Sequence, residues 1–276
     1  MNESANRIGP ARLEEVSEAI ADVTAELSAA GAVLGSALHS TTAANLASLV
    51  CIVNTYYSNL IEGHDTRPRD IERALAGNFD QNEERRNLQL EAAAHVRVSR
   101  LMSHAMALKA GIGAQGLWSV SRGLARGLES RGDYKRMMDY ADSPRQDDLD
   151  GRGNLSQRAL AECTLWFLRV CLDQVNFMSG LFDLGNLGRR LQIYVDRNDH
   201  LKPETAKLLQ EALIRGQFER GEAPRITGLP ERSARRVLND AITEGLLASI
   251  TPKAPVSVRF PTAALETLFP RLYPEA

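Results

Sequence analysis

Glu62 stands in the last turn of an apolar helical pattern, directly before Gly63, where the carbonyl end of a helix disfavours an anion. A cation set against it would remove the conflict; left in solvent, the carboxylate costs roughly a few tenths of a kcal/mol. A second group is basic. Arg232, Arg235 and Arg236 fall within five residues on one helical pattern, with Lys253 and Arg259 following. Guanidinium groups so arranged suit phosphate contacts or bidentate reading of guanine, although Glu231, Asp240 and Glu244 offset the three arginines. Of the five histidines, His95 and His104 lie inside a helical run, which favours packed or solvent-facing imidazoles over general bases. The acidic stretch from Asp147 to Asn154 lacks the alternating ligand positions and closing glutamate of a calcium loop and reads as a structural turn. No metal site and no catalytic residue emerges from this inventory.

The elements that must position these groups are helical. Apolar residues recur at helical spacing through Leu13, Val16, Ile20, Val23 and Leu27, and again from Leu46 to Leu60. Thr66 followed by Pro68 predicts an N-cap with proline just inside, and Gly77 ends that short helix. From Glu83 the pattern runs unbroken to Gly111, with Leu90, Ala94, Val98, Leu101, Ala105 and Leu108 on one apolar stripe. Further helices are predicted over Leu117–Leu128, over Tyr134–Tyr140 and after Ser156. Beyond residue 200 the character changes: helices over Pro203–Phe218 and Glu231–Leu246 flank a short helix and turn, and β-type runs follow at 247–251 and 256–260. That order is the one of a winged helix-turn-helix, with the arginines on its third helix and Lys253 and Arg259 on the wing.

Composition sets the bounds. With 276 residues, 25% charged, 43% apolar and a formal net charge of -2, the chain has room for one or two domains and exerts no overall pull on nucleic acid. Cys51, Cys163 and Cys171 each sit in an apolar helical pattern, so buried reduced thiols are expected. The first twenty residues lack a basic start with an apolar core, and no apolar run reaches membrane-spanning length; a cytoplasmic protein without membrane contact is expected.

The stretch Tyr56-Tyr57-Ser58-Asn59-Leu60-Ile61-Glu62-Gly63 resembles the inhibitory helix of Fic-family proteins, with its pattern Ser/Thr-x-x-x-Glu-Gly/Asn. Segments 85–91, 116–126, 148–156 and 171–175 also look like one bacterial Fic subfamily that carries a C-terminal winged helix. The resemblance implies a mainly α protein: a Fic-like helical bundle over residues 1–200, with the inhibitory helix near 42–63, then a winged helix-turn-helix domain over 201–276.

Intact members of that family transfer AMP from ATP, with magnesium, to a protein hydroxyl through a loop His-x-Phe-x-Asp/Glu-Gly-Asn-Gly-Arg-x-x-Arg. No such string occurs here. Arg97-Val98-Ser99-Arg100 looks like its Arg-x-x-Arg end, which implies an internal deletion near residue 97 and a truncated core. By the same resemblance Ser58, Glu62 and Gly63 match the inhibitory motif, and Arg97 and Arg100 are a remnant of the nucleotide site, with Arg100 set to contact Glu62. The resulting expectation is a catalytically impaired relative of protein adenylyltransferases, without a cofactor as it stands. Its residual roles would be contact with a protein target or itself, or DNA binding through the C-terminal domain. Two alternatives stay open: an active adenylyltransferase with a non-standard base, and a winged-helix transcriptional regulator.

Overall fold

Ser17, Ser156 and Asp183 each turn a side-chain oxygen onto a backbone N–H three residues ahead, and each opens a helix. In the computed structural model, which describes residues 12–110 and 130–270, these helices are α1 (Glu18–Ser36), α6 (Gln157–Leu181) and α7 (Leu184–Asp196). The remaining long ones are α2 (Ser40–Glu62), α4 (Glu83–Ala110), α5 (Ser130–Ala141), α8 (Thr205–Arg215) and α10 (Glu231–Thr243). Shorter ones are α3 (Pro68–Leu75), α9 (Ala223–Thr227) and α11 (Leu265–Leu268). A two-stranded antiparallel ladder, β1 (Leu247–Ala248) with β2 (Ser257–Val258), pairs Leu247 with Val258. The protein is therefore mainly α. No single described helix is long and apolar enough to cross a membrane.

Local chemistry corrects three expectations. The first helix starts at Glu18 rather than near Leu13, because the Ser17 hydroxyl takes the Ile20 N–H and fixes the start. For α3, Pro68 at the first helical position makes Arg67 the cap residue, without a side-chain cap bond, so Thr66 lies one position too early. On α4 the core-facing residues are Gln89, Ala92, Ala93, Val96 and Ser99, while Leu90, Ala94 and Val98 face outward. Both stripes obey helical spacing; the small side chains of Ala92 and Ala93 allow the close approach that α4 makes to its neighbours α2 and α3. The expected helix over Leu117–Leu128 lies outside the described residues.

Helix α2 is central to the packing. Leu46, Leu49, Val53, Tyr56 and Tyr57 join one buried cluster with Ile71 of α3, Val96 of α4, Leu187 and Leu191 of α7, Leu208 and Leu209 of α8, Val237 of α10 and Val258 of β2. Polar bonds fix α2 and α3 against the C-terminal elements. The Thr42 hydroxyl donates to the Leu213 carbonyl at 3.0 Å and Asn45 Nδ2 to the Val258 carbonyl at 2.8 Å. Glu72 accepts from the hydroxyl and the backbone N–H of Thr262. Helix α6 packs on α1 and α5 in a separate layer, where the buried apolar side chains are Ile20, Ala141, Ala159, Cys171 and Val175.

Arg190 of α7 closes the far end. Its guanidinium donates to the carbonyls of Leu181, Asn186 and Leu268 and lies 5.9 Å from the centre of the Phe269 ring. The last carbonyls of α6 and α11 are thus satisfied by one cation.

Candidate functional site

Helix α10 buries Ala234, Val237, Leu238 and Ala241, successive steps of three, one and three that keep to one helical face and leave Arg232, Arg235 and Arg236 together on the solvent face. Ahead of it, α9 ends at Gly228, whose φ of +75° turns the chain into Leu229-Pro230 and so into α10. The Thr227 hydroxyl donates to the Ala223 carbonyl at 2.7 Å and accepts the Leu229 N–H at 3.3 Å, which ties this corner together. Phe218, just after α8, pairs with Val256 through both backbone bonds, at 3.0 and 2.8 Å, and adds a third edge to the ladder.

Between β1 and β2 the chain forms a loop, 249–256, rather than the longer strands expected from its β-type residues. Pro252 and Pro255 lack the N–H groups that would extend the ladder. Lys253 stands exposed on that loop. Arg220 anchors it: one guanidinium nitrogen donates to the Ser249 hydroxyl at 2.8 Å, and that hydroxyl donates to the Thr251 carbonyl at 2.8 Å. Nothing in the sequence marks this pair, whose members lie 29 positions apart. Arg259, expected beside Lys253, is instead half-buried at the base of the ladder, its N–H on the Leu246 carbonyl. Burial there lowers the guanidinium pKa.

Charge is partitioned across this face. From Leu201 to Pro270 there are ten lysines and arginines against eight acids. Arg215 and Arg225 are both bound by Glu211 and Glu222 at 2.9–3.0 Å. Hydrogen bonds from Arg215, the Glu219 N–H and Arg225 hold the Glu222 carboxyl down to about 2. Arg235 reaches back to Glu231 at 2.7 Å. Arg232, Arg236 and Lys253 make no ion pair with any described residue and are exposed on α10 and the loop; Lys202 and Lys207, near the start of α8, are likewise exposed and form no ion pair among the described residues.

No protein-family model, curated protein or solved structure matches the chain. The Fic resemblance therefore rests on the short motifs alone.

Around those motifs, Gly63 takes the left-handed conformation (φ +92°) that ends α2. Its N–H bonds to the Leu60 carbonyl, and the His64 N–H to the Asn59 carbonyl. The side chains of Ser58 and Glu62 lie outside the described residues, as does the expected contact between Glu62 and Arg100. Arg97 and Arg100 are exposed in the middle of α4, where the backbone N–H groups are turned into the helix rather than toward a ligand. His95 is half-buried on the same helix, and the His104 side chain lies outside the described residues. In the 147–154 loop, Asp150 accepts from the N–H groups of Arg158 (2.8 Å) and Gln146 (3.1 Å), and its pKa falls to about 2. That carboxylate holds the loop's own backbone. Among the described residues no cluster of three histidines, cysteines or acids is placed to hold a metal.

Proposed function

We propose that the C-terminal third of the chain is a winged helix that contacts DNA through α10 and the 249–256 loop, carried on a Fic-like helical scaffold that does not transfer AMP. The observation that carries the reading is the order α8, Phe218 edge, α9, tight turn, α10, β1, loop, β2, with Arg232 and Arg236 unpaired on the outer face of α10. Helix α10 takes the place of the helix that enters the major groove, and Lys253 reaches the flanking phosphates. Arg220 positions the loop through Ser249 and itself touches no DNA.

Anisotropy of a labelled duplex across a salt series tests this. Binding should weaken as salt rises, and replacing both Arg232 and Arg236 by alanine should reduce the slope of log K against log salt by about 2. Glu231→Gln, which releases Arg235, should strengthen binding. Absence of binding at low salt, or an unchanged slope in the double variant, overturns the reading.

The scaffold half of the proposal is supported by the setting of Arg97 and Arg100. A regular helix interior offers no cradle of backbone N–H groups for a triphosphate. Incubation with labelled ATP and cell lysate should leave proteins unlabelled. Labelling that disappears in Arg100→Ala would restore the adenylyltransferase alternative.

A further inference from the structure

The loop between β1 and β2 carries an isoleucine at its tip. Ile250 is 94% exposed, and the chain on either side of it is tied down. The Ser249 hydroxyl, itself held by Arg220 at 2.8 Å, donates past Ile250 to the Thr251 carbonyl at 2.8 Å. Residues 251–254 then close a turn. The Ala254 N–H bonds to the Thr251 carbonyl at 3.1 Å and to the Thr251 hydroxyl at 3.2 Å, with Pro252 at the turn position whose φ proline presets. Bridged from one neighbour to the other, Ile250 is the apex of its segment. The ordering cost that a mobile loop would meet on binding a partner has here been met in folding.

Charge separates this apolar tip from another of equal exposure. Leu149, also 94% exposed, stands among Asp147, Asp148 and Asp150, which repel a polyanion. The 249–256 loop contains no carboxylate, and its one charge is the exposed Lys253, three positions after Ile250. An apolar point beside a cation fits a partner that is anionic outside and apolar within. Duplex DNA has that construction: phosphates line its surface, and its stacked base steps admit isoleucine and similar side chains from the minor groove.

We propose that Ile250 is a wedge that enters the minor groove beside the major-groove segment taken by α10, parts two stacked base pairs and kinks the duplex by about 20–90°. Lys253 holds the flanking phosphate. The inference rests on the winged-helix reading of the C-terminal third and extends it from binding to bending. Pyrimidine–purine steps, TA and CA/TG, part most easily and are the steps at which the wedge enters. Arg220 and Ser249 are positioning residues: they set the apex and touch no base.

The test uses the full chain with one mixed-sequence fragment, prepared both as a linear duplex and as a covalently closed minicircle whose curvature supplies part of the kink in advance. The unaltered chain should bind the minicircle about tenfold or more tightly than the linear form. Ile250→Ala, at a side chain with almost no contacts to lose, should bring that ratio close to one. Its affinity for the linear duplex, which phosphate contacts dominate, should stay within about threefold. Ile250→Leu should keep the preference, and Ser249→Ala should lower it by loosening the apex. Salt-sensitive binding of both forms with equal affinity overturns the wedge and leaves the winged-helix reading standing, whereas no binding of either form at low salt removes both. A minicircle preference that survives in Ile250→Ala overturns the wedge too, and turns attention from DNA to a protein partner for the exposed isoleucine.

Discussion

The region from α7 to α11 and the layer of α1, α5 and α6 draw on similarly apolar sequence, yet they bury it very differently. In the first, Leu187, Leu191, Leu208, Leu209, Leu213, Phe218, Leu246, Leu247, Leu265 and Phe269 are all nearly free of solvent. In the second, the middle of α6 presents Leu165, Trp166, Phe167 and Leu168 around its circumference, and none of the four is fully buried. A helix apolar on all sides ordinarily belongs in an interior. The outward stripe of Leu90 and Val98 on α4, 46% and 52% exposed, belongs to the same pattern. The contrast teaches that burial is concentrated in the region from α7 to α11, and that α4 and α6 carry apolar side chains that the other described residues leave partly uncovered.

The largest effect should come from Leu208→Ala. It opens a cavity in the dense region and should cost about 2–5 kcal/mol in urea unfolding, whereas Phe167→Ala should cost about half as much or less. Equal losses would erase the distinction. Next in size is Arg190→Met, which strands the carbonyls of Leu181 and Leu268 and should cost about 2–3 kcal/mol by the same measurement.

Acid separates the regions further. Glu222, in the dense region, and Asp150, in the 147–154 loop before α6, are both held down to about 2, from ordinary values of 4.5 and 3.8. Each folded-state pKa is depressed, so each contribution is complete above the unfolded value and is lost as the pH falls toward 2. Asp150→Asn should remove acid sensitivity from the loop while leaving that of the α8–α9 corner in place, and Glu222→Gln the reverse, as read from carboxyl-carbon shifts through a titration. The smallest effect belongs to Val98→Ser, which should change stability by no more than about 0.5 kcal/mol. A loss well above that would mean that the outer face of α4 is covered.

Sequence alone located most helices and placed Arg232, Arg235 and Arg236 on the helix that is α10, because periodicity and capping are local. It missed what neighbours decide. Both the 90–94–98 and the 89–92–93–96–99 stripes have helical spacing, and only the approach of α2 and α3 selects the second. Thr66 looked like a cap until Pro68 set the helix one residue later. The Arg220–Ser249 bond was hidden because its partners come from separate elements.

The bonds from Thr42, Asn45 and Glu72 to Leu213, Val258 and Thr262 bear on how this molecule can be dissected. The shift in composition near residue 200 invites excision of the last seventy-odd residues as a free-standing reagent. Such a fragment would lose the donors that quench two backbone oxygens and would bare the trough now filled by Leu46, Leu49 and Val53. Gene fusions and crystallisation fragments should therefore begin no later than the start of α2, so that the seam stays sewn.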